Sequence, residues 1–121
     1  MSRAILVTGA SRGIGAATAR AFAASGDRVA VHYGTRRQQA EEVVASLQGD
    51  GHVVVGGELA DAEAVRAFVD AAAEGLGGLD VLVNNAGIYV AHPITETSYD
   101  DFRQAWQDTL AVNLVGAANA T

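Results

Sequence analysis

The chain has 121 residues, 50% of them hydrophobic and 18% charged, with one proline and no cysteine. That length and apolar share suit one folded domain with a packed core and exclude a disordered chain. The net charge of −6, with all 8 basic residues arginine, offers no basic face for nucleic acid, and the absence of cysteine excludes disulfides and thiolate metal sites.

The first strand is Ala4–Val7. This apolar run is too short for a signal segment, with Gly9 following at once, and no run reaches membrane-spanning length. The expectation is a soluble cytoplasmic protein with neither membrane nor nucleic-acid partner, and no metal site is assigned. A glycine-rich turn and a helix come next, then a second strand over Val29–Val31. Ala40, Val43, Val44 and Leu47 recur at helical spacing before the third strand, Val53–Val55. Asp61 is placed to cap the next helix, whose apolar face is Val65, Phe68, Val69, Ala72 and Leu76. Gly49, Gly51, Gly75, Gly77 and Gly78 punctuate the helix ends, and Val81–Val83 is the fourth strand. These near-continuous β-branched runs read as strands buried on both faces. A last helix runs from about Ser98 to the end with an expected buried stripe of Phe102, Ala105, Trp106, Thr109 and Leu110, and Asn113 continues it. The alternation predicts an α/β fold with a doubly wound, Rossmann-type parallel sheet over residues 1–121.

The first strand ends in Thr8-Gly9-Ala10-Ser11-Arg12-Gly13-Ile14-Gly15. The spacing G-x-x-x-G-x-G differs from the G-x-G-x-x-G fingerprint, but the mechanics carry over. Gly9 permits a tight turn, Gly13 and Gly15 permit close backbone approach, and the following helix points free N–H groups at an anion. A bare turn is the alternative; the position after the first strand of a βαβ unit favours a pyrophosphate. Asn113, a carboxamide on an apolar stripe, needs hydrogen-bond partners and reads equally as a backbone-bonded structural residue or a functional one.

The glycine motif resembles the cofactor motif of the short-chain dehydrogenase/reductase family. Asn84-Asn85-Ala86-Gly87 resembles its second signature, and Val112-Asn113-Leu114 its helix asparagine, one member of an Asn-Ser-Tyr-Lys tetrad. The three motifs stand in order on the matching elements and span the chain, nearest to the 3-oxoacyl-carrier-protein reductase-like branch. The resemblance implies strand order 3-2-1-4. It places Gly9, Ser11, Arg12, Gly13, Ile14 and Gly15 on the cofactor, with Thr35 and Arg36 after the second strand. Glu58 stands where the family has Asp or Asn against adenine, and Leu59 where a residue covers the ring. Asn85, Ala86 and Gly87 fall beside the nicotinamide ribose, although the two asparagines could equally tie the fourth strand to its neighbours. The implied catalytic residue is Asn113, holding a water that relays protons to the lysine.

NAD-preferring sheets of this type carry an acidic residue at the end of the second strand. Here His32-Tyr33-Gly34-Thr35 has no carboxylate, and Arg36-Arg37 follow. A 2′-phosphate suits guanidinium forks, so Arg12 and Arg36 read as a clamp for NADP(H) in preference to NAD(H). The alternative is that Arg36 and Arg37 only begin a solvated helix.

The family reaction moves a hydride between nicotinamide and a carbonyl or alcohol, using a serine and a Tyr-x-x-x-Lys that lie after the asparagine helix. This chain has no lysine and stops 8 residues after Asn113. Tyr99 through Arg103 imitates the Tyr-x-x-x-Lys spacing but stands at the start of the wrong helix. The sequence therefore reads as the cofactor-binding half of a reductase for a small carbonyl or alcohol, with a 3-oxoacyl thioester among the candidates, inactive by itself. The second reading is a stand-alone nucleotide-binding half-domain without catalysis. The fourth strand is expected to be an open apolar edge, which a companion C-terminal fragment or a homo-oligomer would cover. His92, in a loop beside Pro93, is expected to face solvent rather than act as an acid.

Overall fold

The four apolar runs form β1 (Ala4–Val7), β2 (Arg28–Tyr33), β3 (Val53–Gly56) and β4 (Val81–Val83). The computed structural model describes residues 2–121. The strands lie parallel in the order β3-β2-β1-β4, with Ile5 beside Val29 on one side and Val81 on the other. Helices α1 (Gly13–Ala24), α2 (Arg37–Ser46) and α3 (Ala62–Leu76) form the crossovers. Among the described residues no strand lies beyond β4.

The pleat explains why the runs are continuous rather than alternating. Ile5, Val7, Val29 and Val31 face the layer of α1 and α2, where Ala16, Ala19, Ala23, Ala40 and Val43 meet them. Ala4, Leu6 and Ala30 face the opposite layer, where α3 contributes Val65, Phe68, Ala72 and Leu76. Both faces of β1 and β2 are thereby removed from water, and each large side chain so buried contributes about 1.5–3 kcal/mol.

Caps set the helix ends. The Asp61 carboxylate accepts from the N–H groups of Glu63 and Ala64, and Gly77 closes α3 in the left-handed conformation at φ 78°. At the amino ends of the strands, buried Asp27 accepts three bonds from Arg3, at 3.0 Å from its N–H and at 3.1 and 2.7 Å from its guanidinium. These bonds hold the Asp27 carboxyl below the usual carboxylate range. Asp80 locks β4 to β1, accepting from the Ala4 N–H at 2.8 Å while its own N–H donates to the Ala4 carbonyl.

The last helix departs from expectation in two ways. Helix α4 spans Tyr99–Leu110, then Ala111–Gly116 widens into a π-helical stretch before the short α5, Ala117–Ala120. The stripe is also not buried: Ala105 is, but Phe102, Trp106 and Leu110 are 38%, 49% and 42% exposed, and Asn113 is exposed too. The reason is where the helix lands. It joins the core only from Val112 onward, with bare Gly116 backbone against Leu59 and Ala120 entering the α3 layer.

Candidate functional site

Because β1 has β2 on one side and β4 on the other, the chain reverses direction across β1, and a crevice opens at the carboxyl ends of these strands. Thr8 anchors that crevice. Its buried hydroxyl accepts from the N–H groups of Asn85 (3.1 Å) and Ala86 (3.0 Å), and its own N–H donates to Val83. Asn85 returns the bond, its Nδ2 donating to the carbonyls of Thr8 and Gly9 at 3.0 and 3.2 Å. The two asparagine-loop and glycine-loop motifs are thus one hydrogen-bonded unit.

Glycine is required here sterically. Gly9 has φ 61°, and a Cβ on it would lie 2.9 Å from the Ala86 Cα. A Cβ on buried Gly15 would collide with the Gly9 carbonyl and the Asn85 amide. The loop consequently packs flat on Asn85-Ala86, and α1 begins at Gly13 with no side-chain cap on its first turn. Its leading N–H groups are available to an external acceptor.

A cavity of about 380 Å³ lies in front of this loop. It brings together Gly9, Ser11, Arg12, Gly13, Thr35, Arg36, Glu58, Leu59, Asn85, Ala86 and Gly87. Three of the sequence-derived candidates do not line it: Ile14 is 79% exposed on the outside of α1, Gly15 lies beneath the loop, and Asn113 is set back behind Gly87 and Ile88. From there the Asn113 carboxamide holds the rim, donating to the Ile88 carbonyl and accepting from the Ile88 N–H, each at 2.8 Å. Leu59 is largely buried in the α3 layer while showing an edge to the cavity. Arg12 and Arg36 also flank a second hollow with Arg20, Gln39 and the carboxylate of Glu42. Among the described residues neither Arg12 nor Arg36 has an acidic ion-pair partner, whereas Arg37 is paired with Glu41 at 3.0 Å.

Sequence reasoning missed four lining residues: His32, Gly34, Ile88 and Val112. His32 is fully buried on β2, its ring 4.2 Å from that of Phe68. The Gly9 N–H donates to Nδ1 at 3.0 Å, and Nε2 is 2.9 Å from the Gly57 carbonyl. Accepting at one nitrogen and donating at the other fixes the neutral Nε2–H tautomer, and burial pushes the imidazole pKa down. The only hint in the sequence was a histidine closing an apolar run. His92 also differs from expectation: it packs edge-on to Phe102 and Trp106, with ring centroids at 5.4 and 6.0 Å, and its Nδ1 bonds the Val90 carbonyl. No helix among the described residues is long and apolar enough to cross a membrane.

The family model described as short chain dehydrogenase matches residues 3–121. The chain is 39% identical over 116 residues to 3beta-hydroxysteroid dehydrogenase 1 of Eggerthella lenta, covering 94% of this chain and 43% of that protein. It is 38% identical over 121 residues to a 3-oxoacyl-[acyl-carrier-protein] reductase of Staphylococcus aureus, covering 98% of this chain and 48% of that one. Among solved structures, a short chain dehydrogenase from Burkholderia cenocepacia in complex with NADP superposes with a TM-score of 0.82 at 42% identity, over 98% of this chain and 47% of that one. A dehydrogenase/reductase from Sinorhizobium meliloti superposes with a TM-score of 0.83 at 36% identity, over 99% and 47%. The chain spans about half the length of the relatives it matches.

Proposed function

The chain belongs to the short chain dehydrogenase family, and from that premise we propose that it is the cofactor-binding half of an oxidoreductase using NADP(H) in preference to NAD(H). The parent reaction is the reversible reduction of a small carbonyl compound, with a 3-oxoacyl thioester among the substrates considered. The observation that carries the NADP(H) preference is electrostatic. Arg12 and Arg36 flank one cleft without an acidic ion-pair partner, and β2 runs out into Gly34 and Thr35 rather than a carboxylate.

The residues present fit such a cofactor. The uncapped start of α1 and the open space at Gly13 leave donors and room for a pyrophosphate, held by the segment from Gly9 to Gly15, Ser11, Arg12, Gly13 and Ile14 included. Arg12, Thr35 and Arg36 would take the 2′-phosphate, Glu58 and Leu59 the adenine, and Asn85, Ala86 and Gly87 the nicotinamide ribose. When bound, the nicotinamide supplies or accepts a hydride at C4. Asn113, assigned to the catalytic site, holds Ile88 by both of its backbone groups and so fixes the rim where substrate would enter. Carbonyl reduction also needs a proton donor to the developing alkoxide. We assign that donor to the rest of the enzyme, so the 121-residue chain alone is expected to turn nothing over. The exposed Phe102, Trp106 and Leu110 face is assigned to contact with that remainder or with a second copy.

The test is substitution of the clamp. Arg36→Ala should weaken NADPH binding about tenfold, the scale of one charge-assisted hydrogen bond, while leaving NADH binding within about twofold. Equal losses for both cofactors, or none for either, in a fluorescence titration would overturn the NADP(H) reading.

A further inference from the structure

β1 and β3 are not neighbours; β2 lies between them, so the loops at their carboxyl ends share no ladder. The backbone of β2 holds each loop separately. The Ala10 N–H donates to the His32 carbonyl at 2.9 Å, and the Gly57 N–H to the Tyr33 carbonyl at 3.1 Å. One side chain crosses between them. The His32 ring takes the Gly9 N–H at one edge and gives a proton to the Gly57 carbonyl at the other. Gly9 opens the glycine loop, and Gly57 directly precedes Glu58 and Leu59 on the opposite wall of the cavity.

We propose that His32 is a positioning residue for the cofactor, acting through Gly9: its bare Nδ1 fixes the peptide from which the glycine loop departs, and so sets the loop's distance from the Glu58-Leu59 wall. The proposal rests on the NADP(H) reading of the cleft. The ring has no other work in the core that an apolar residue could not do. Stacking on Phe68 would be met equally by a phenyl ring, and the neighbours of His32 along β2, Val29, Ala30 and Val31, are apolar and fully buried. What a phenyl ring cannot supply is an acceptor for Gly9 and a donor for Gly57.

Three substitutions separate positioning from plain stability. His32→Phe keeps the ring and loses both bonds. His32→Asn keeps an acceptor one bond from Cγ, where Nδ1 stands, but does not reach Gly57. His32→Gln reaches Gly57 but vacates the Nδ1 position. The expected result is that NADPH binds about tenfold more weakly to His32→Phe and His32→Gln. In His32→Asn affinity returns to within about threefold of the parent although Tm stays lowered, because the buried Gly57 carbonyl still lacks its donor. The imidazole nitrogen-15 spectrum of the parent chain should show Nδ1 unprotonated and Nε2 protonated.

The proposal is overturned if His32→Phe binds NADPH as the parent does, if affinity across the series follows Tm rather than the Gly9 acceptor, or if Nδ1 carries the proton. Should His32→Phe fail to fold, the Asn and Gln variants decide the matter between them. A parent chain that binds neither NADPH nor NADH removes the cleft reading and this proposal together, whereas a parent that binds and variants that match it remove this proposal alone.

Discussion

Thr8 shows how much of the site one side chain can organise. Its hydroxyl is nearly inaccessible and accepts from the N–H groups of both Asn85 and Ala86, so the β1 and β4 loops meet on a single oxygen. Replacing it with the isosteric Thr8→Val leaves two backbone donors facing a methyl group and should cost about 1–3 kcal/mol in urea denaturation, while Thr8→Ser should recover most of that. His32 acts on the same scale through protonation. Burial depresses its folded pKa below the ordinary 6.5, opposed first by the bond to the Gly57 carbonyl and then by Glu58, so the unfolded chain takes up a proton first as pH falls. The stability His32 contributes is therefore complete above pH 6.5 and is lost as pH drops from there toward the lower folded value. Denaturation midpoints between pH 8 and pH 5 should fall in the parent chain and flatten in His32→Asn. Asp27 adds a loss of the same direction in a lower window, below its ordinary 3.8, because the Arg3 bonds depress its pKa. The glycine-rich turn was legible in the sequence because its motif is contiguous, but the Thr8 bridge to Asn85 and Ala86 was not. Nor was the His32 role, since its partners lie 23 and 25 residues away and nothing local marks a core histidine as a bridge.

At the scale of elements, the sequence pattern marked the four strands and the helices between them, but not what each helix face meets or where the last helix changes register. The α3 face, read at helical spacing, is buried as expected, with Phe68 at 1% exposure. The α4 stripe has the same spacing, yet Trp106 keeps 49% of its surface. Phe68→Ala should therefore destabilise by about 3–5 kcal/mol, whereas Trp106→Ala should change the isolated chain by less than about 1 kcal/mol, as measured by thermal unfolding. A comparable loss at Trp106 would mean that its face is covered in solution. The shift to π-helical turns at Ala111–Gly116 had no signal in the sequence, because side-chain pattern does not report a one-residue change in hydrogen-bond register. It matters for the site, since Asn113 lies inside this stretch and reaches Ile88 from there.

For the whole molecule, the sheet order creates the site: the reversal across β1 places the glycine loop, the end of β2 and the Asn85–Gly87 loop around one crevice. The overall charge of −6 opposes an anionic ligand, and Arg12 and Arg36 reverse that sign locally. The strands made the fold readable and the glycine motif the turn at the crevice, while the roles assigned toward a cofactor came from the family resemblance. The contact Asn113 makes was not readable, because the Ile88 backbone it holds lies 25 residues away. The most direct measurement is a side-by-side calorimetric titration of the intact 121-residue chain with NADPH and NADH. The clamp we propose for Arg12 and Arg36 predicts saturable one-to-one binding with NADPH at least about tenfold tighter. Equal or tighter binding of NADH, or no saturable binding of either, would contradict it.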